Sequence, residues 1–218
     1  MTTLNDVAKF FLSKVDRENG DLITHLKLQK LIYYAQAWSI VLFGEQLFEG
    51  KLEAWKNGPV SPEVYQEYKQ YDKKIPIPEP DDFEETLFSE QELSLLNLIN
   101  DTYGNFSASK LWKLSHSEHP WLMARKGISD NKASKKEIIP EWIQAYYSNF
   151  VDINSDSIHH LAFSESKDID SLITLNKGEK AVQIEHSKLH QHFSPKKEES
   201  HTGNIKVAVR RPRAGVCI

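Results

Sequence analysis

Two histidines three residues apart with an acid between them, His116-Ser117-Glu118-His119, could place two imidazoles on one side of a helical turn as metal ligands. No third ligand is evident nearby. Pro120 directly follows, so the pair reads better as histidines that bond to backbone groups freed at a helix break, and no metal is assigned. His186, His190 and His192 form a second cluster, in a polar segment that offers no fixed geometry. The single cysteine, Cys217, has no partner for a disulfide and no surrounding frame to make it a nucleophile. Phosphate-cradling loops, the G-x-S-x-G elbow, H-E-x-x-H and C-x-x-C are all missing, so the sequence is read as neither an enzyme nor a cofactor binder. The aromatic set Tyr33, Tyr34 and Trp38 could stack bases, but with only Lys27 and Lys30 nearby it reads as packed core. Arg210, Arg211 and Arg213 read as a solvated basic tail.

The elements that hold these residues divide the 218-residue chain in two. Of 23 aromatic residues, 21 lie in the first 150 positions, whereas six of the nine histidines follow them. Large apolar side chains offset the entropy of ordering a chain, so residues 1–150 are expected to be the folded domain and 151–218 an extension. The expected fold class is mainly α: a compact multi-helix domain with one small β-hairpin, followed by a C-terminal extension that is partly β or disordered. A net charge of −4 argues against a general nucleic-acid binder. The longest uncharged run, 31–44, is too short to span a bilayer, which needs about 20 residues, and no signal peptide is seen. A cytoplasmic protein without membrane partners is the expectation.

Within the first part, Thr3 and Asp6 predict a helix start and Asn19-Gly20 its end. A more apolar helix is predicted from Thr24 to Phe43, stopped by Gly44. Its apolar residues spill onto every face, which marks a central helix. Two short runs around Glu49-Gly50 suit a small hairpin or turn between residues 47 and 55, and Asn57-Gly58-Pro59 is expected to stop regular structure. Ser61-Pro62-Glu63 predicts a helix reaching about Tyr71, and the alternating prolines of 75–80 predict an extended connector. Ser89 with Glu92 forms a capping box, Ser107 caps the next helix, and Pro140 opens the last. In the extension, 172–175 and 181–184 suit a hairpin, with a third strand at 205–209.

Two ordered blocks carry a family resemblance. The first is Lys27-Leu-Gln-Lys-Leu-Ile-Tyr-Tyr-Ala-Gln-Ala-Trp38, then Leu47-Phe48, Glu53-Ala-Trp-Lys-Asn-Gly-Pro-Val60 and Pro62-Glu-Val-Tyr65. The second is Tyr103-Gly104, Ser107-Ala-Ser-Lys-Leu111, Ser115-His116, His119-Pro-Trp121 and Ala124-Arg125. Over about residues 4–150 the chain resembles the Panacea antitoxin domain family, also called SocA-like or GepA-type and found in bacteria and phages. The resemblance implies the antitoxin of a type II toxin–antitoxin pair, neutralising by direct contact a cognate protein toxin encoded by the adjacent gene. It also admits two alternatives: an adaptor that delivers a bound partner to an ATP-dependent protease such as ClpXP, and a phage counter-defence binding protein. Family members that repress transcription carry an added helix-turn-helix, for which the resemblance, starting near residue 4, leaves no room in front.

Physically, such a role needs a rigid scaffold. Gly58, Pro59 and Ser61, with Trp38 and Trp121, are expected to be structural. Partner contact falls to aromatics expected to be exposed beside the irregular segments, namely Trp55, Tyr65 and Tyr68, because aromatics anchor interfaces more than their abundance suggests.

Overall fold

The central helix is set by its own ends and by its lack of a polar face. In the computed structural model, which describes residues 2–71 and 75–150, helix α2 runs His25–Phe43. The Thr24 hydroxyl caps its start, and Gly44 ends it at φ 74°, a left-handed geometry that glycine adopts without steric cost. Every residue from Leu28 to Ile40 is buried. That is possible because α2 packs against neighbours on all sides: α1 (Leu4–Ser13), α3 (Pro62–Tyr68), α4 (Glu90–Tyr103), α5 (Ala108–Ser117), α7 (Pro140–Tyr147) and the strand β2 (Gly58–Val60). A short α6 (His119–Ala124) bridges α5 and α7. The mainly helical fold with one small hairpin is therefore as the sequence predicts.

Most helix starts follow local signals. Thr3 with Asp6 and Ser89 with Glu92 form reciprocal capping boxes, and Ser61 and Ser107 accept from the amides of Val64 and Lys110. Pro120 and Pro62 lie in first turns, where their missing N–H has no helical partner to lose. Two ends differ from expectation. Helix α1 stops at Ser13 rather than at Asn19-Gly20, because the Asp16 carboxylate accepts from both the backbone and the side chain of Asn19 and folds 16–19 into a separate turn. Helix α3 stops at Tyr68, not Tyr71.

The hairpin is displaced along the sequence. Strand β1 is Glu53–Trp55, and it pairs antiparallel with β2, with Trp55 opposite Gly58, Ala54 opposite Pro59 and Glu53 opposite Val60. The turn is thus Lys56-Asn57, and the segment expected to break structure forms a strand. Pro59 fits because the two-residue loop makes Ala54 and Pro59 a non-hydrogen-bonded pair, so no N–H is required of it toward β1. Gly58 supplies the φ of 99° at the strand's start. The outer edge of β1 is covered by the chain leading into α7, through Ala54 N to Lys136 O and Ile138 N to Leu52 O. The 47–52 run is held instead by a side chain: Gln36 Oε1 accepts from the amides of Leu47 and Phe48, and Gln36 Nε2 donates to Phe48 O.

The connector 75–80 is extended, tied to the α2 approach by Ile77 N to Ile23 O. Among the described residues no helix is long and apolar enough to cross a membrane. The strands expected in 172–209 lie outside the described residues.

Candidate functional site

Beneath the hairpin lies a buried polar cluster that fixes its position. Lys30, on α2, has no solvent exposure, and its Nζ donates 2.8 Å to the carbonyl of Pro59. One residue earlier, Gln29 grips the residue that caps α3, accepting from Ser61 N at 2.8 Å and donating to Ser61 O. Neighbouring positions of one helix thus hold both ends of the 58–61 segment.

The counter-charge to Lys30 comes from the α5–α6 junction. Glu118 is buried and accepts three tyrosine hydroxyls: Tyr33 at 2.8 Å and Tyr147 at 2.9 Å on Oε2, and Tyr34 at 2.9 Å on Oε1. Each phenol has one proton to give, so Glu118 is the shared acceptor of three hydroxyls. Burial raises the Glu118 pKa from its ordinary value, while the tyrosine hydrogen bonds and the Lys30 charge pull it back. Burial lowers the Lys30 pKa to about 7, opposed by Glu118. Burial and the Glu118 charge hold Tyr33, Tyr34 and Tyr147 well above the usual phenol range, so all three stay protonated donors. Behind them Tyr34 stacks on Tyr103 with ring centroids 4.1 Å apart, and Trp38 Nε1 donates to the Tyr103 hydroxyl at 3.1 Å. Tyr33, Tyr34 and Trp38 are core, as the sequence suggests.

On the outer side the hairpin carries aromatic rings. Trp55 is half-buried and leans on Tyr65 with centroids 4.8 Å apart, and Tyr65 stacks on His25 at 5.1 Å. Trp121 is buried and donates from Nε1 to Trp55 O, which ties α6 to the strand. His116 is sandwiched between Trp112 and Trp121 at centroid distances of 4.0 and 4.1 Å. Its Nδ1 lies 2.7 Å from Trp112 O and its Nε2 3.0 Å from Lys56 O, so this imidazole clasps the hairpin turn to α5. Burial lowers its pKa, and the two carbonyl contacts oppose that shift. Arg125 completes the support: its buried guanidinium donates to Ala54 O and gathers the carbonyls of Ser129, Asp130 and Lys132.

The residues singled out by sequence are therefore brought together only in part. Gly58, Pro59, Ser61 and Trp121 converge on the hairpin, while Trp38 lies in the core behind it. Trp55 and Tyr65 form one half-exposed pair. Tyr68 is a correction: it is only 9% exposed, its ring beside Tyr71 and its hydroxyl 3.4 Å from Asn5 Oδ1, because α3 turns that face toward α1. His116 bonds to backbone carbonyls, but to those of Trp112 within α5 and Lys56 in the hairpin turn rather than to groups freed at the helix break, and His119 Nδ1 is buried without a hydrogen-bond partner; no group of three or more metal-ligating side chains exists among the described residues. Glu118, Lys30, Gln29, Gln36 and Arg125 were not anticipated as organising residues. For Gln29, Lys30 and Gln36 the one visible signal is a polar side chain in a helix apolar on every face, since buried polar groups need partners; Glu118 and Arg125, at the two ends of α6, carry no such signal.

Comparison with known proteins bears on the family. Residues 28–122, from α2 through most of α6, match the family model described as antitoxin SocA-like, Panacea domain. This is the family that the two sequence blocks resemble. The chain is also 34% identical over 126 residues to antitoxin SocA of Caulobacter vibrioides (strain NA1000 / CB15N). That stretch covers 50% of this chain and 63% of that protein, so the chain spans less than two thirds of the length of this curated relative. No solved structure matches.

Proposed function

We propose that this chain is an antitoxin that acts by binding rather than catalysis, contacting and neutralising a cognate protein toxin in a two-gene, type II arrangement. The observation that carries this reading is the match of residues 28–122 to the antitoxin SocA-like Panacea domain, together with the similarity to antitoxin SocA. The structure adds a physical rationale. A hairpin anchored from within by Lys30, Gln29 and Arg125 presents Trp55 and Tyr65 with little freedom, and a preorganised aromatic surface loses less entropy on binding. Trp55 and Tyr65 are the proposed contacts.

Co-expression tests it. The neighbouring reading frame, induced alone, should arrest growth, and induction together with this chain should restore it. A harmless neighbour, or one equally toxic in the presence of this protein, refutes the proposal. Following the neighbour's half-life in the same cells separates neutralisation by binding, which leaves it unchanged, from delivery to a protease, which shortens it.

A further inference from the structure

The charges of the helical domain are segregated along the chain. Residues 79–101 hold eight acidic and no basic residues, whereas 106–136 hold seven basic residues and only two acids, Glu118 and Asp130. Glu118 is buried and committed to tyrosines, so it does not offset charge at the surface. The two regions also differ in how charge is compensated. Asp82, Glu85 and Glu79 pair with Lys9, Lys14 and Arg17 of the first helix and its following turn. The exposed lysines 56, 113, 126 and 132 make no ion pair among the described residues.

Two exposed apolar residues lie on the same segments as these lysines, and backbone contacts tie the segments together. Trp112 is 37% exposed and lies against His116, which touches the backbone of Lys56. On the next helix Leu122 is 43% exposed, beside Trp121, whose ring lies 5.1 Å from the Arg125 guanidinium. Arg125 in turn anchors the loop carrying Lys132. Exposed large apolar groups rimmed by unpaired like charges are the composition of an interface that recruits by charge and holds by burial.

We propose that this face, Trp112 and Leu122 rimmed by Lys56, Lys113, Lys126 and Lys132, docks an acidic segment of a partner protein that carries its own apolar anchors. The inference rests on the binding role proposed above and specifies the chemistry of the partner. Charge complementarity argues for a short acidic segment rather than a nucleic acid. Screening confines each contact to about 8 Å at physiological salt, so a local acidic patch feels only these lysines. A polyphosphate would extend along a domain whose sequence is net acidic and whose 79–101 region is uniformly so.

The test uses the full-length chain and a fluorescein-labelled peptide built from Asp, Glu and Leu, followed by fluorescence anisotropy. The peptide should bind at low ionic strength and weaken as salt rises. Replacing its acids by Asn and Gln should weaken it roughly tenfold or more, as should the double variant Lys113→Glu/Lys126→Glu. Both lysines are exposed and unpaired, so the variant should retain the wild-type thermal melting curve, which is measured alongside. Trp112→Ala should weaken binding without altering its salt dependence, separating the apolar anchor from the charges. Equal binding by the double variant, or by the neutral peptide, overturns the proposal. So does tighter binding of a short single-stranded oligonucleotide that the double variant loses, which would make the face a nucleic-acid surface. Self-association in sedimentation that the double variant abolishes would instead assign the face to a second copy. Failure of neutralisation in co-expression refutes the antitoxin reading and leaves the peptide result standing.

Discussion

The two sides of α2 are built by different physics. Toward α1 and α4 the contacts are mostly apolar, the Trp38–Tyr103 hydrogen bond at the end of α4 apart: Phe10 meets Phe11, Phe83 and Phe88 edge to face at 5.4–6.2 Å, with Leu95, Leu96 and Ile99 packed behind. Toward the hairpin, α5 and α7, the same helix is held by directional bonds from Gln29, Lys30, Tyr33 and Tyr34. An apolar interface tolerates repacking as long as volume is kept, because dispersion and burial have little angular preference. A buried charge with a fixed set of donors has one solution, and losing a member strands the others. The second kind of side makes the surface around Trp55 and Trp112 well defined, and the first supplies the burial that supports it.

The largest expected effect breaks that contrast at its centre. Glu118→Ala leaves three buried hydroxyls without their acceptor and Lys30 without its counter-charge. It should cost about 3–5 kcal/mol in urea denaturation, because three buried hydroxyls lose their acceptor and a buried lysine loses the nearby opposite charge. A cost near that of an ordinary surface change would show that the cluster is dispensable. Next, Gly58→Ala should cost about 1–3 kcal/mol from backbone strain at its positive φ. The added Cβ would also lie 2.6 Å from Lys30 Nζ. Because the obstruction is that side chain, a double-mutant cycle with Lys30→Ala should show non-additivity, and strict additivity would remove the clash from the account.

The pH dependence sharpens the comparison further. Lys30 has a folded pKa of about 7, well below its unfolded value. Between those values the unfolded chain binds the extra proton, so the stability this group contributes is present above the unfolded pKa and is lost as pH falls through about 7. Wild-type stability should therefore rise from pH 7 toward pH 10 by up to about 1.4 kcal/mol per unit relative to Lys30→Met, and parallel curves would refute it. Glu118 acts in the opposite sense, since its raised pKa gives stability that is lost as pH climbs through the folded value. The smallest effect is expected on the apolar side: Phe10→Leu, which approximately conserves volume, should cost under about 1.5 kcal/mol by thermal unfolding.

Much of the fold was legible because it is local. The caps at Thr3, Thr24, Ser61, Ser89 and Ser107 each act within three residues, and Gly44 ends α2 by its own dihedral freedom. The hairpin was misplaced because its register depends on distant partners: the Pro59 carbonyl is taken by Lys30, Ala54 N by Lys136, and the 47–48 amides by Gln36. Tyr68 was misjudged for a related reason, since an aromatic on a short helix shows no preferred face until α1 packs beside it.

What the sequence determined by itself is thus the set of helices and most of their starts, carried by short-range patterns of capping residues, glycines and apolar repeats. The tertiary structure alone decided the polar interior and the surface it supports. Glu118 collects hydroxyls from residues 85, 84 and 29 positions away, and no local rule links an acid at a helix break to tyrosines on two other helices. The reason is the entropy of chain closure, which a local cap scarcely incurs and which only the packing of whole helices around α2 can offset for contacts this remote.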